Sequence, residues 1–417
     1  MTHMPPLADP ADSQAPQASL PSGLIALAAG GTGGHLFPAQ ALAGELLSKG
    51  QTPLLITDGR GAAYQGWPAG CEIEQVPSSA LRGGIMAKVR GLGALWAGYC
   101  AARRLLRAKR PKVIVGFGGY PSAPTVLAAA HLDIPVILHE QNAVLGRANR
   151  WLARYATVLA TSAERVELVP KRCTARQVLT GNPVRAELIA RRGPATAIEP
   201  GTPIELLVLG GSQGARVFAD VMPPAIARLP RSILSRLSIS QQCRPEDLDR
   251  VRTAYASYGV EVELAGFFSD VPARLQRAQL VISRAGASTV AELKTVGRPA
   301  LLVPYPHAAD DHQSANAEAF CEAGGAWLMP QAGFTPEAVC YRLEALISLP
   351  DRLKFAAQCA HEQGIPDAAE RLAAVTLEVA HLRGPQAPSL GRTGATTANS
   401  APQTAPGTAR AAMETAA

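Results

Sequence analysis

The chain contains the same local design twice, and this repeat limits its fold more than any other feature. Residues 24–34 (LIALAAGGTGG) and 204–214 (IELLVLGGSQG) each place an apolar run before closely spaced glycines and a hydroxyl residue. The matching loop residues keep an offset of 180: Gly30 with Gly210, Thr32 with Ser212, and Gly34 with Gly214. The apolar runs predict buried strands, and apolar positions from Pro38 onward predict a helix. Two α/β domains of similar plan are the simplest account.

The repeated loops suit the binding of anions. A strand, a glycine loop and a helix N-terminus favour negative charge, because free backbone N–H groups and the helix dipole both point to the loop. The first loop is neither a P-loop, since no Lys-Ser/Thr follows it, nor a complete dinucleotide-binding fingerprint. Two more glycine loops follow apolar runs, within residues 113–119 (VIVGFGG) and 280–288 (LVISRAGAS). Ligands of parallel sheets gather at the carboxyl ends of strands, so four such loops predict a ligand site.

Length and composition exclude several classes of protein. The 417 residues suffice for two cores, and residues 190–203 have the Pro/Gly/Arg-rich composition of a linker. Seven scattered cysteines without a CxxC pair indicate reduced thiols of the cytosol. Residues 1–22 lack the basic start and apolar core of a signal peptide, and residues 122–138 are too mixed to span a bilayer. We expect both chain ends, 1–22 and 383–417, to be disordered.

Several motifs, in fixed order, resemble one bacterial enzyme family. They are GGTGGHLFPA, VGFGGYPSAPTVLAA, LHEQNAVLGRANRWLA, TGNPVR, LGGSQGAR, SRAGASTVAEL, PYPHAADDHQSANA and IPDAAERLA. The chain is similar over about residues 23–382 to the undecaprenyl-diphospho-muramoylpentapeptide β-N-acetylglucosaminyltransferases of peptidoglycan synthesis. The resemblance implies a GT-B fold, in which two Rossmann-like α/β domains face each other across a cleft. It divides the chain into an acceptor- and membrane-side domain (23–185), a UDP-GlcNAc-binding domain (186–365) and a final helix (366–382) that packs back on the first domain.

The resemblance also implies a reaction and its partners. GlcNAc would pass from UDP-GlcNAc to the muramoyl C4 hydroxyl of lipid I with inversion, which gives lipid II and UDP. Such an enzyme needs no cofactor and no nucleic acid. It would work on the cytoplasmic face of the cell inner membrane, as a peripheral protein, with other cell-wall synthesis proteins as partners. One loop departs from the family pattern: His-Gln-Ser/Thr-Gly is usual, whereas residues 240–244 read SQQCR.

The family resemblance assigns most donor-binding residues to the second domain. Glu292 would accept hydrogen bonds from the ribose hydroxyls, as a carboxylate does well. The remaining donor contacts would come from Ser212, Ala287, Ser288 and Thr289 for the diphosphate, Phe268 for uracil through its backbone, Gln313 and Asn316 for sugar hydroxyls, and Asn142 and Arg185 from across the cleft. Two alternatives stay open: the Phe268 side chain belongs to the core, and Arg185 forms an interdomain salt bridge.

The first glycine loop would form the acceptor side of the cleft through Thr32, Gly33 and Gly34. His35 would take the proton from the attacking hydroxyl, because its unperturbed pKa lies near working pH. The alternative for His35 is a structural or helix-capping role. Glu140 is the rival base, with a buried partnership to His139 or to nearby arginines as its own alternative.

Two acidic patterns invite a metal hypothesis. Asp247 and Asp249 have the DxD form that another glycosyltransferase class uses, but the apolar spacing around them favours the solvated surface of a helix. The cluster around His307 and Asp310 lacks a known metal-ligand spacing. We therefore predict no metal site, with helix N-termini offsetting the charge of the leaving UDP.

The positive charge of the chain comes from one segment. The net charge is +7, and residues 81–112 contain nine Lys/Arg and no acid. A lipid-linked acceptor cannot leave the bilayer, so we expect residues 81–96 to dock on an anionic membrane surface through Ile85, Leu92 and Trp96. The rest of the segment is expected to be an ordinary core helix.

Three other functions compete with this one. A UDP-GlcNAc 2-epimerase would share the fold but needs no lipid, which leaves the basic apolar segment unexplained. A lipid galactosyltransferase would share the membrane requirement but use another sugar and acceptor. A nucleotide-binding module without activity is disfavoured, because two domains would bring polar groups to one cleft.

Overall fold

A computed structural model describes most of the two predicted domains. It covers residues 23–31, 33–64, 66–78, 85–194, 199, 201–211 and 214–381, without the side chains of 85–90 and 92. Thr32, Ser212 and the two chain ends predicted to be disordered lie outside the described residues, as do the side chains of Ile85 and Leu92.

The first domain is built on a seven-stranded parallel sheet in the order β3-β2-β1-β4-β5-β6-β7. Its strands are β1 (Leu24–Ala28), β2 (Thr52–Thr57), β3 (Glu72–Gln75), β4 (Val113–Gly116), β5 (Val136–Glu140), β6 (Val158–Thr161) and β7 (Arg176–Leu179). Its helices are α1 (Gly33–Ser48), α2 (Gly59–Ala62), α3 (Ile85–Lys109), α4 (Ser122–Ala130) and α5 (Arg147–Leu152). The short helix α6 (Ala186–Ile189) packs on the second domain, where Leu188 is buried with Leu207 and Leu293. Ile25 and Leu27 enter one core cluster and Ala26 and Ala28 another, so helices cover both faces of the sheet.

The second domain repeats the plan with six parallel strands in the order β10-β9-β8-β11-β12-β13. Its strands are β8 (Ile204–Leu209), β9 (Leu237–Gln242), β10 (Glu263–Ala265), β11 (Leu280–Ser283), β12 (Ala300–Leu302) and β13 (Ala326–Leu328). Its helices are α7 (Arg216–Ala227), α8 (Arg231–Leu234), α9 (Leu248–Ser257), α10 (Val271–Arg277), α11 (Ala287–Val296), α12 (His312–Glu322), α13 (Pro336–Ile347) and α14 (Pro350–Glu362).

The predicted fold class, two Rossmann-like α/β domains, is confirmed. The two repeats begin the central strands β1 and β8 at Leu24 and Ile204, which are 180 residues apart. In each sheet the strand order reverses beside that central strand, between β1 and β4 and between β8 and β11. The crevice at such a switch point is the usual ligand site of these sheets. All four glycine loops follow the strands that border the two switch points.

The last helix, α15 (Ala368–His381), belongs to the core of the first domain. Leu372, Ala373 and Leu377 are buried in the same cluster as Leu42 and Leu46 of α1. The 3- to 4-residue spacing of these apolar positions gives α15 one buried face, which α1 covers. The chain therefore crosses between the domains twice.

Helix α1 begins earlier than the apolar pattern predicted. The pattern started at Pro38, but the helix starts at Gly33 and includes Pro38. Pro38 has no N–H to donate to the carbonyl of Gly34, so α1 lacks one hydrogen bond in its second turn. The N–H groups of the first turn have no partners within any helix. His35 therefore lies in the first turn of a helix and not at the end of a loop.

Helix α3 occupies 25 residues of the basic segment. Within the described part of the chain, no helix is both long and apolar enough to cross a membrane.

Candidate active site

His35 lies at the switch point of the first sheet, against the loop that follows β4. Gly119 has φ +76°, and a Cβ placed on it would lie 3.2 Å from Cδ2 of His35. Glycine at 119 thus supplies a left-handed backbone and leaves room for the imidazole ring. Both glycine loops of this domain were expected at the carboxyl ends of strands, and the structure brings the histidine of one against the backbone of the other.

A chain of hydrogen bonds holds His35 in place. Nδ1 of His35 lies 3.1 Å from Oε1 of Gln141. Nε2 of Gln141 lies 2.9 Å from Nδ1 of His139 and also donates to the Phe117 carbonyl. Nε2 of His139 lies 3.0 Å from the carbonyl oxygen of Gly181. Every link is between groups of the first domain or its edge, so the ring is oriented before any ligand arrives.

The direction of these bonds fixes the tautomer of His35. A carbonyl only accepts, so His139 donates from Nε2 to Gly181 and accepts at Nδ1 from the Gln141 amide nitrogen. The Gln141 amide oxygen must then face His35, which donates from Nδ1. In the neutral ring, Nε2 of His35 is therefore the unprotonated nitrogen. Burial lowers the pKa of His35, against a smaller opposite effect of Glu140, and this favours the neutral form.

Glu140 has a different environment from His35. Its side chain is 2% exposed. Oε1 accepts from N and Nδ2 of Asn142, both at 3.1 Å, and Oε2 accepts from N of Gly146 at 2.8 Å and Nδ2 of Asn149 at 2.9 Å. Four donors fill both oxygens and organise the turn before α5. Among the described residues, the hydrogen bonds of the Glu140 side chain go to this turn and not to the nearby arginines.

Glu292 on α11 and Arg185, at the end of the first domain, meet across the cleft. Nη2 of Arg185 is 3.7 Å from Oε1 of Glu292, and the guanidinium lies 5.2 Å from the ring centroid of Phe37 on α1. Burial raises the pKa of the Glu292 carboxyl, and Arg185 opposes that shift. A single long ion pair leaves most of the acceptor capacity of this carboxylate open. The contact also makes Arg185 the interdomain ion-pair partner that one alternative described.

The N-terminal end of α11 presents further polar groups to the cleft. Ala287, Ser288 and Thr289 form its first turn, whose N–H groups have no partners within the helix. Oγ of Ser288 is buried and has no hydrogen-bond partner among the described residues. Gln313, in the first turn of α12, accepts from the backbone N of Tyr305 at 2.9 Å and so shapes the loop beside the cleft.

Two asparagines join the domains directly. Asn316 on α12 accepts from N of Ala143 at 2.8 Å and donates to Oδ1 of Asn142 at 3.1 Å. Nδ2 of Asn316 also donates to the Ala285 carbonyl at 3.1 Å. These two residues, expected to bind the donor from opposite sides, are thus bonded to each other directly.

Ion pairs between Asp310 and two arginines also connect the two domains at this edge. Asp310 accepts from Nη2 of Arg147 at 3.0 Å and from Nη2 of Arg150, both on α5 of the first domain. Asp310 and Asp311 adopt left-handed backbone conformations, with φ of 52° and 50°. Asp310 is therefore engaged with arginines across the cleft, whereas Asp311 accepts from Oγ of Ser314 at 2.8 Å.

Comparison with known proteins agrees with this architecture. Models described as the N-terminal and C-terminal domains of glycosyltransferase family 28 match residues 25–161 and 205–372. A Rhodospirillum centenum protein is 53% identical over 359 residues, which are 86% of this chain and 95% of that protein. It is named UDP-N-acetylglucosamine--N-acetylmuramyl-(pentapeptide) pyrophosphoryl-undecaprenol N-acetylglucosamine transferase. The chain belongs to glycosyltransferase family 28.

Further relatives and solved structures are similar to this chain. A Zymomonas mobilis protein of the same name is 44% identical over 348 residues, with 83% of this chain and 90% of that protein covered. The crystal structure of Acinetobacter baumannii MurG superposes with a TM-score of 0.68 at 28% identity, covering 85% of this chain and 99% of that one. An S. aureus MnaA–UDP co-structure has a TM-score of 0.60 at 12% identity, with coverage of 84% and 94%, and shows the shared fold alone.

The structure also shows the surroundings of Phe268 and of the segment that departs from the family pattern. The Phe268 side chain is buried under the guanidinium of Arg274, 4.0 Å from its ring centroid, so the side chain is part of the core. In the unusual segment 240–244, Gln242 at the end of β9 accepts from N of Gly210 and donates to the Gly266 carbonyl. Although this segment departs from the family pattern, its Gln242 still connects β9 to the second glycine loop.

The acidic DxD pattern differs in part from its expected setting. Asp249 is fully exposed, as predicted, but Asp247 is buried and paired with Arg250 at 2.8 Å. Asp247 is the last residue of a short 3₁₀ turn (Pro245–Asp247) that leads into α9, and it is 6% exposed. Across the described residues, no group of three or more His, Cys, Asp or Glu side chains is arranged to hold a metal.

Two exposed tryptophans of the first domain have aromatic or cationic neighbours, and one of them lies in the basic segment. Trp96 on α3 is 67% exposed and stacks on Tyr99 with ring centroids 5.5 Å apart. Trp151 is 48% exposed, with Arg154 5.7 Å from its ring centroid. The sequence analysis singled out Trp96 but missed Trp151, which lies 55 residues later in a motif attributed to the cleft.

Gln141 and His139 are the site residues that sequence analysis missed. Gln141 is 106 residues from His35, and no spacing rule connects the two. The only sequence signal was their place in the HEQN motif at the end of β5, which neighbours the switch-point strand β4.

Proposed function

We propose that this glycosyltransferase moves GlcNAc from UDP-GlcNAc to the muramoyl C4 hydroxyl of lipid I, with inversion, and so forms lipid II and UDP. The names of its relatives support the two substrates. The observation in the structure that best supports the chemistry is the hydrogen-bonded chain that leaves Nε2 of His35 unprotonated in the cleft.

His35 is the proposed general base. The acceptor hydroxyl gives its proton to Nε2 of His35 while its oxygen forms a bond to C1 of GlcNAc and the bond from C1 to the UDP oxygen breaks. The resulting imidazolium keeps its Nδ1–H bond to the Gln141 oxygen, which stabilises the charge. Glu140 is the weaker candidate, because a proton on either oxygen would displace one of its four hydrogen-bond donors.

The second domain is proposed to bind the donor. Glu292 has acceptor capacity for the ribose hydroxyls, and the first turn of α11 offers N–H groups and the Ser288 hydroxyl to the diphosphate. Asn142, Gln313 and Asn316 would exchange their present partners for sugar hydroxyls. The helix dipole offsets the charge of the leaving UDP without a metal, so we expect transfer to continue in EDTA.

A direct assay tests this function. The chain is incubated with UDP-GlcNAc and a lipid I analogue, and the products are separated. We expect disaccharide and UDP in equal amounts. Release of epimerised sugar without acceptor would indicate the 2-epimerase, and transfer from UDP-galactose in preference to UDP-GlcNAc would indicate the galactosyltransferase.

We further propose that residues 81–96 dock the enzyme on the cytoplasmic face of the inner membrane. The exposed Trp96, with Trp151 and Arg154 on the same domain, supports this surface, since tryptophan and arginine suit the headgroup region. Each cation near an anionic surface contributes about 1 kcal/mol, and salt screens that attraction.

Vesicle binding tests the docking surface. Binding should rise with anionic lipid and fall with salt. Replacing Ile85, Leu92 and Trp96 by serine should abolish it and leave UDP binding unchanged. The matched control is Phe355→Ser, which removes a 64% exposed aromatic side chain from the second domain. Equal vesicle binding by the triple variant and this control would exclude the surface.

A further inference from the structure

A cavity of about 70 Å³ lies between the two domains on the side of the chain crossing. Ser162, Gly181 and Asn182 of the first domain line it, and Lys294 and Thr295 of the second domain face them. Gln363, directly after α14, lines it as well. At about 10–15 Å³ per water position, the volume suits about five waters or one small oxyanion.

Asn182 contributes a buried amide that lacks a partner. Its side chain is 6% exposed. Neither Nδ2 nor Oδ1 has a hydrogen-bond partner among the described residues. Burying an amide without hydrogen-bond partners raises the free energy of the folded state, so such groups are rare in folded proteins. The amide therefore has the capacity to donate to a ligand in the cavity.

Lys294 contributes a cation without a counter-ion. Nζ lies 5.0 Å from the ring centroid of Phe320. Within the described part of the chain, no carboxylate lies within ion-pair distance of Nζ, and no Asp or Glu lines the cavity. Burial lowers the pKa of this ammonium to about 8, so it is mostly charged at neutral pH. The cavity thus combines one positive charge with amide and hydroxyl donors and no negative group.

The cavity borders the proposed donor site, because Ala287, Gln141 and Asn316 also line it, and it extends from there along one face of α11. Five residues of this helix line the cavity, repeat at helical spacing and share one face: Ala287, Val290, Ala291, Lys294 and Thr295. Glu292, proposed to bind ribose, is two residues from Lys294 and therefore points to a different face. Lys294 is also two turns along the helix from the N-terminal N–H groups assigned to the diphosphate.

We propose that this interdomain cavity binds a small oxyanion, a phosphate or carboxylate group, through the Lys294 ammonium and the Asn182 amide. Because its walls come from both domains, a bound anion favours the arrangement in which they meet. Anion binding there is coupled to the closed cleft and thus to UDP affinity. This inference goes beyond the transfer reaction and does not depend on the acceptor.

The test is a calorimetric titration of inorganic phosphate into the full chain saturated with UDP, at constant ionic strength. UDP binding is measured first, so that the diphosphate site is known to be filled. The variant Lys294→Met removes the charge at similar length, and Ala291→Met fills the cavity without changing charge. Lys354→Met, at an exposed lysine of α14, is the matched control. A parallel titration with acetate separates phosphate from carboxylate ligands.

We expect one phosphate site in the wild type and in Lys354→Met. Both cavity variants should bind phosphate at least about tenfold more weakly, as expected for the loss of a charge-assisted contact. Acetate binding with the same variant pattern would assign carboxylates as well. No phosphate binding by the UDP-saturated wild type would overturn the proposal, as would equal phosphate affinity in Lys354→Met and in whichever cavity variant folds.

Discussion

At the first-domain edge of the cleft, the polar side chains are bonded to one another, whereas the second-domain edge leaves bonding capacity open. His35 and His139 are joined through Gln141, and Glu140 accepts four hydrogen bonds. Across the cleft, Oγ of Ser288 lacks a partner among the described residues and Glu292 has one arginine at 3.7 Å.

The difference between the two edges matches two functions, proton transfer and nucleotide binding. A group that moves a proton must already be held in the right tautomer and orientation, because a misplaced base loses rate. A group that binds a nucleotide needs free donors and acceptors, because its bonds are completed by the ligand. The comparison therefore assigns chemistry to the first edge and ligand affinity to the second, and variants at the two edges should fail differently.

The largest effect is expected at His35. His35→Ala should lower kcat by about 10²–10⁴-fold, because the proton acceptor is lost. Its unfolding transition should stay close to wild type, since the ring is only partly buried. Glu140→Ala should instead lower the stability strongly, because four donors lose their buried acceptor. Steady-state kinetics and thermal unfolding of both variants check this. A dead but stable Glu140→Ala beside an active His35→Ala would exchange the two roles.

The second effect concerns stability and pH. Burial lowers the pKa of His139 to about 4, so the unfolded chain, with a pKa near about 6.5, takes up this proton first as pH falls. Stability from the neutral ring is complete above pH 6.5 and decreases toward pH 4, by up to about 3 kcal/mol. Urea unfolding at several pH values measures it. His139→Gln should flatten this dependence, and an unchanged slope would show that His139 does not cause it.

The third effect tests the second edge. Glu292→Ala should reduce kcat/KM for UDP-GlcNAc by about 10- to 150-fold, since hydrogen bonds to a charged acceptor are worth about 1.5–3 kcal/mol. The fold should be unaffected, because Glu292 has little bonding to lose. Kinetics with a 2′-deoxyribose donor provide the control. The wild type should have a lower kcat/KM for this donor than for UDP-GlcNAc, whereas Glu292→Ala should use the two donors equally well. Unchanged kcat/KM in Glu292→Ala would remove the ribose assignment.

The smallest effect concerns the ion pairs that join the edges. Asp310→Asn should raise the KM for UDP-GlcNAc by about two- to fivefold and leave kcat unchanged, because partly exposed pairs are worth about 0.2–1 kcal/mol each. The difference should shrink in high salt. Asp249→Asn, which removes an exposed ion pair within α9, is the matched control. An equal KM for the two variants would mean that the pairs do not support the donor loop.

Much of this architecture was predictable because it depends on local patterns. The offset between the repeats gave the first residues of β1 and β8, and apolar runs bounded by glycines fixed which strands end at the cleft. The start of α1 was missed because glycine and proline have low helix propensity, yet tertiary packing and free N-terminal N–H groups tolerate them there.

The division of roles at the site was not predictable. His35 and Glu140 were rival bases in the sequence, and only their hydrogen-bond partners distinguish them. Those partners come from β5 and from the turn before α5, which a one-dimensional pattern does not connect. Asn142 and Asn316 were expected at one ligand, but 174 residues separate them and their direct bond follows from the domain arrangement.

The tautomer of His35 is the most direct test of the account. ¹⁵N NMR of histidine-labelled chain separates protonated from unprotonated ring nitrogens, and His35→Ala assigns the signals. At neutral pH we expect Nδ1 of His35 protonated and Nε2 unprotonated, with loss of that preference in Gln141→Leu. A His35 ring protonated at Nε2 in the wild type would contradict its role as the base, because no lone pair would then face the acceptor.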